Sequence, residues 1–205
     1  MEELIQYIRK HFKTEEMEAR LHTFKNRTGQ FEAWFKGELL TLFGKLQGQG
    51  IIQGFCKEVS VDNRKGQRPK IDIILSIGKT KHFIELKHWF IGNQKKMYWH
   101  ENNCREGNQQ PWHATRFFKD KSAGIYKDVN KLNDFFPDKN RWVLIFNTKN
   151  PGIEDWVKGV QAFNSKFYDN RAVITSVTNP ADYPDYYFCG LLRVNNFIRC
   201  KVLKT

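Results

Sequence analysis

The chain has 205 residues, 40% hydrophobic, 15% aromatic and 27% charged, which is enough apolar material for one sizeable core and too much for a disordered chain. Its formal net charge of +12, with a pI near 9.5, suits a polyanionic partner, nucleic acid before an anionic membrane surface, with a merely soluble basic protein as the bland alternative. Cys56, Cys104, Cys189 and Cys200 are scattered with no Cys-x-x-Cys pair, which argues against a disulfide scaffold or a conventional zinc finger.

The opening Met-Glu-Glu-Leu-Ile-Gln carries no signal-peptide pattern, and no run has the length of a membrane span. The expectation is a cytoplasmic protein with no membrane partner, folded as a single domain over 1–205. Within it, residues 1–28 form an N-terminal helical extension.

Leu4, Ile5, Ile8 and Phe12 recur at helical spacing, which predicts one or two amphipathic helices from Glu2 to about Phe24, with Thr14 capping a second segment. Thr28 is placed to cap the next helix, from about Gln30 to Leu46 and ending before Gly48 and Gly50. Its wide apolar stripe contains Phe31, Trp34, Phe35, Leu39, Leu42, Phe43 and Leu46. Glu38 lies in that stripe or at its edge, where an unpaired carboxylate is costly. A strand is expected from about Ile51 to Val61, carrying Glu58. A basic, turn-prone segment, 62–70, follows with Arg64, Lys65, Arg68 and Lys70.

Two apolar runs come next, Ile71-Asp72-Ile73-Ile74-Leu75 and Phe83-Ile84-Glu85-Leu86-Lys87, separated by Gly78-Lys79-Thr80-Lys81. They predict a β-hairpin. Strand side chains alternate with period two, so Glu85 and Lys87 share a face. A Gly78-Lys79 turn sets Asp72 opposite Glu85, and a turn one residue along sets it opposite Lys87. In either register Asp72 joins the other two, so two carboxylates and an ammonium converge on one patch.

From His88 to Gly124 the chain is rich in aromatics, amides and cations, and it reads as a long, partly helical insertion, 88–124. Its aromatics interleave with Lys95, Lys96, Arg105, Arg116 and Lys119, a pattern that suits stacking on a nucleic-acid strand and equally suits packing under a loop. Beyond it lie a helix from Ile125 to Phe136, a buried strand from Trp142 to Phe146, and a helix capped by Asn150-Pro151 that runs to about Phe167. Strands near 172–177, 186–194 and 198–202 complete a mixed α/β pattern.

Two carboxylates held together resist joint ionisation unless a cation sits between them. An oxygen-rich site of this kind suits Mg²⁺, with Mn²⁺ as a substitute. Asp72, Glu85 and a backbone carbonyl are the candidate ligands, Lys87 is the candidate to orient or deprotonate water, and Glu38 is the candidate to complete the site. Glu32, one turn nearer the helix start, and Glu58, near its strand end, are rivals for the third acid. His100, Cys104 and His113 lack standard zinc spacing. Asp128 and Lys131 read as an intrahelical ion pair.

The order helix Glu38, strand Asp72, hairpin, Glu85-Leu86-Lys87, helix, strand resembles the PD-(D/E)xK nuclease superfamily over roughly residues 30–150. Trp34-Phe35-Lys36-Gly37-Glu38-Leu39, with Arg68-Pro69 ahead of Asp72, is similar to several of its members. The resemblance implies a restriction-endonuclease-like α/β/α sandwich with a central mixed sheet. It implies Asp72 and Glu85 as metal ligands, the Leu86 carbonyl as a further ligand, Lys87 as the water-activating lysine and Glu38 as the helix acid. The function it implies is Mg²⁺-dependent, endonucleolytic hydrolysis of DNA, with a homodimer serving both strands of a duplex. RNA cleavage and a non-cleaving nucleic-acid-binding module are the alternatives.

Overall fold

The computed structural model describes residues 1–25, 31–60, 69–89, 94–100, 103–109, 114–119, 124–136, 139–166, 173–183 and 187–194. Three helices come first: α1 (Glu2–Phe12), α2 (Glu15–Lys25) and α3 (Phe31–Gly48). Thr14 opens α2, its hydroxyl accepting the Met17 N–H at 3.4 Å, as the sequence predicts. The Thr28 cap expected for α3 lies outside the described residues. Gly50 ends α3 at φ +73°, and the Gly50 N–H to Gln47 and Ile51 N–H to Leu46 bonds complete a Schellman closure. That closure consumes Ile51 and Ile52, so β1 (Gly54–Ser60) starts later than the apolar run suggests.

The hairpin of β2 (Lys70–Ile77) and β3 (Thr80–His88) turns on Gly78-Lys79, with Ile77 paired to Thr80. Gly78 takes φ +58°, which an L side chain adopts only at a cost, and this selects the first of the two registers open from sequence.

The segment expected to be partly helical does contain a short helix, α4 (Ala114–Lys119), but ahead of it stands an unexpected antiparallel pair, β4 (Gln94–His100) and β5 (Asn103–Gln109). Met97-Tyr98-Trp99 favour extended backbone, and pairing carries the polar β5 sequence into a strand that its own propensity disfavours. Then come α5 (Ile125–Phe135), β6 (Asn140–Asn147), α6 (Gly152–Lys166), β7 (Ile174–Ser176), a 3₁₀ turn (Pro180–Asp182) and β8 (Phe188–Val194). The expected strand at 198–202 lies outside the described residues.

The main sheet has six strands in the order β1-β2-β3-β6-β8-β7, and β4-β5 form a separate two-stranded sheet. Only β3 and β6 are parallel among the pairs of the main sheet, so the sheet is mixed, as expected. Helices cover both faces. Phe35 of α3 stacks on Phe146 of β6 at 3.9 Å, while Phe136 at the end of α5 packs on Phe83 at 4.9 Å. The β3–β6 register puts Phe83 beside Arg141 and His88 beside Phe146, so the two contacts fall on opposite faces. α6 joins the α5 side through Trp156 against Phe188, and α1 joins the α3 side through Phe12 against Tyr187. α4 lies close to α6 at Gly159, where an added Cβ would stand 2.4 Å from a Phe118 ring carbon.

Candidate functional site

The charged patch forms where β2 and β3 part. Their last paired residues at this end are Ile73 and Ile84, although β2 continues back to Lys70 and β3 on to His88. The same register sets Asp72 opposite Glu85. In place of a ladder bond, the Leu86 N–H donates to Asp72 Oδ2 at 3.0 Å. The carboxylate therefore sits in the fork. Beyond it, β3 pairs with β6, which fixes Glu85 beside Val143 and Lys87 beside Ile145 on the face covered by α5.

Each acid has a cation. Lys36 of α3 donates to Asp72 Oδ1 at 3.1 Å and to Glu58 Oε1 at 2.9 Å. Lys131 of α5 lies 2.6 Å from Glu85 Oε2 and also donates to the Lys70 carbonyl at 3.0 Å. Lys87 is paired with Asp128 of α5 at 2.9 Å. Asp128 and Lys131 thus reach across to β3 rather than to each other, which corrects the intrahelical pair read from sequence. The physical reason is the stripe they occupy: Asp128 falls among the buried Ile125, Val129 and Leu132 and so faces the sheet. That polar interruption of an apolar stripe was the signal available in the sequence.

The two central carboxyls adjoin and are displaced in opposite directions. Burial, reinforced by Asp72 and opposed by Lys131, pushes Glu85 from 4.5 to about 8. Burial also raises Asp72, but the Leu86 N–H, the contact with Glu85 and Lys36 outweigh it and leave its carboxyl below the usual value. This is the pattern of neighbouring acids sharing one proton. Asp128 is raised as well, by burial against the pull of Lys87. Glu85 is 2% exposed, and among the described residues its Oε1 meets no hydrogen-bond partner.

The helix acid expected at Glu38 is elsewhere. Its carboxylate pairs with Arg20 of α2 at 2.7 Å and stands 3.8 Å from His11 of α1, tying the three N-terminal helices together. Four-residue spacing along α3 explains the exchange: Glu32 and Lys36 share one side of the helix, and Glu38 lies on another. Glu32, a rival for the third acid, is an exposed residue. Its carboxyl is nonetheless crowded and raised, first by burial and then by Asp72, against the pull of Lys87. It is the α3 acid within electrostatic reach of the patch. Glu58 is brought in too, since the pairs Lys57–Ile73 and Val59–Ile71 set it opposite Asp72.

Of the cations proposed for nucleic-acid contact, Lys70 is exposed at the start of β2. Arg64, Lys65 and Arg68 lie outside the described residues. Lys95 and Lys96 are on β4 and Arg116 on α4, with their backbones alone described. His100 is on β4 and Cys104 on β5, and His113 lies outside the described residues.

Among the described residues no group of three or more His, Cys, Asp or Glu side chains stands in a metal-holding arrangement. The donor chemistry at the fork nonetheless fits a hard divalent cation, with two adjoining carboxyls, one buried oxygen of Glu85 without a partner, and five acids (Glu32, Glu58, Asp72, Glu85, Asp128) around three lysines (Lys36, Lys87, Lys131). No described helix is long and apolar enough to cross a membrane. The chain matches no family model, no curated protein and no solved structure when compared with each.

Proposed function

We propose that the chain is a divalent-metal-dependent nuclease that hydrolyses phosphodiester bonds in DNA, an endonuclease of the PD-(D/E)xK kind with a restriction-endonuclease-like sandwich. The observation that carries this reading is the Asp72–Glu85 carboxyl pair in the strand fork, with Glu85 pushed up to about 8 and its Oε1 unpartnered among the described residues. Such a pair is costly to keep in a folded chain and becomes useful when a cation joins it.

Asp72 and Glu85, with the Leu86 carbonyl, would hold Mg²⁺ or Mn²⁺. An ion held there would supply Lewis-acid polarisation of the scissile phosphate and a more acidic water. Lys87 shares the strand face of Glu85, and Asp128 holds its ammonium in place at 2.9 Å. From there the Lys87 ammonium would orient the attacking water and offset negative charge growing on the phosphate, the water's proton passing to solvent. Glu32 is the helix acid this reading uses in place of Glu38.

The net charge of +12 draws the phosphodiester polyanion to the site. Cleavage of both strands calls for two copies of the chain, because the described residues of each form one such patch. The scattered cysteines suit action in the cytoplasm.

A second reading, a non-cleaving nucleic-acid-binding module, is favoured by one observation: Lys36, Lys87 and Lys131 already have acid partners. A cleavage assay separates the two. Wild type with Mg²⁺ should cut duplex DNA, EDTA should stop it, and Asp72→Ala or Lys87→Ala should lower the rate by roughly 10²–10⁴-fold with melting still cooperative. Full activity in EDTA overturns the metal mechanism. Salt-dependent DNA binding without cleavage in Mg²⁺ or Mn²⁺ assigns the binding module, and cleavage confined to single-stranded RNA changes the substrate alone.

A further inference from the structure

Among the described residues, Lys36 is the one that contacts two acids on different strands. Its Nζ lies 2.9 Å from Glu58 Oε1 and 3.1 Å from Asp72 Oδ1. The two acids are unequal partners. Asp72 is fixed from below by the Leu86 N–H, whereas the Glu58 side chain is 57% exposed at the edge of the sheet. Glu58 is also the only non-glycine among the described residues with positive φ, at 50°, although the ladder with β2 resumes in the same register on both sides of it. A left-handed backbone is strained at such a non-glycine position, and the Glu58 carboxylate it carries meets the Lys36 ammonium.

On this geometry we propose that Lys36 is an exchangeable counter-cation: it holds Asp72 while the acid pair lacks a divalent ion, and it withdraws to Glu58 when one binds. The inference rests on the reading of Asp72 and Glu85 as a metal site and adds a control on how that site fills. Both ends of the exchange are already in contact with Nζ, so the withdrawal needs only a side-chain rotation and no movement of α3. Glu58 is then neither a ligand nor a spare acid. It is the receiving partner that keeps the displaced ammonium from being stranded beside a divalent charge. The ion must displace a partner to enter, so its affinity is reduced relative to an open pair of carboxylates.

The test is a double-mutant cycle read by calorimetric titration of the full chain with Mn²⁺, which needs no nucleic acid and no turnover. Lys36→Met should bind Mn²⁺ about tenfold more tightly than wild type. Glu58→Gln should bind it about tenfold more weakly, because Lys36 has lost its alternative partner. In the Lys36→Met background, Glu58→Gln should change the affinity hardly at all. If Glu58 acts on the ion through its own charge, its effect is the same in both backgrounds, and that additivity overturns the proposal. Equal affinity of Lys36→Met and wild type also overturns it, while leaving the metal site intact. Failure of both wild type and Lys36→Met to bind Mn²⁺ removes the metal site itself. Glu58→Gln keeps the question open to measurement should Lys36→Met melt early, and Lys158→Met on the exposed side of α6 controls for loss of a surface charge.

Discussion

Glu85 is the residue on which the electrostatics of the patch turn. Burial and the neighbouring Asp72 keep it protonated in the folded chain at pH values where an unfolded chain would ionise it, while Lys131 at 2.6 Å pulls the other way and is outweighed. A folded-state pKa raised from 4.5 to about 8 gives stability that is complete below the lower value and is lost as pH rises through the upper one. Glu85→Gln has no proton to lose. Its melting temperature relative to wild type should therefore climb between about pH 5 and about pH 8 in metal-free buffer, and a difference constant with pH would contradict the assignment. Added Mn²⁺ should stabilise wild type and leave Glu85→Gln with a much smaller gain. Strand alternation was sufficient to put Asp72, Glu85 and Lys87 on one face, because the period of two admits no other arrangement in either register. The partners were not readable in the same way. Lys36, Asp128 and Lys131 come from helices whose rotation about their axes is set by packing against the sheet.

At the scale of elements, α3 and α5 approach the fork from opposite layers of the sandwich, and each brings a lysine and an acid spaced three or four residues apart. Glu38 shows what such spacing decides. Displaced from Glu32 and Lys36 around α3, it binds Arg20 and His11, and it joins helices where a site acid was expected. Glu38→Ala should lower stability by roughly 1 kcal/mol in urea denaturation, the scale of a partly exposed charged hydrogen bond, and leave Mn²⁺ affinity unchanged. A loss of Mn²⁺ binding would return Glu38 to the site. Element types were largely legible because their periodicities are long and their breaks are marked, as by Gly50 after α3 and Gly78 in the hairpin. The β4–β5 pair was not. The seven residues of β5, Asn-Cys-Arg-Glu-Gly-Asn-Gln, contain no strand-forming pattern and owe their conformation to the neighbouring strand.

For the molecule as a whole, the sequence announces a basic chain, and the fold adds an acid-rich fork to it. A surplus of carboxyls within a chain of net charge +12 would suit the proposed site for a cation-bridged polyanion, with long-range attraction of phosphate and then local neutralisation by metal. Binding of duplex DNA should therefore weaken steeply with salt, the logarithm of affinity falling by about 0.9 per phosphate contact for each logarithmic unit of salt, as measured by fluorescence anisotropy. Affinity independent of salt would remove the electrostatic partner. The mixed α/β class followed from the alternation of helices and strands, whereas the order of strands across the sheet depends on pairings distant in sequence that no local pattern records.

The most direct measurement is anomalous scattering from crystals soaked in millimolar Mn²⁺. A peak between Asp72 and Glu85 is expected, with Lys36 turned to Glu58. No peak in the strand fork, with Lys36 still on Asp72, would contradict it.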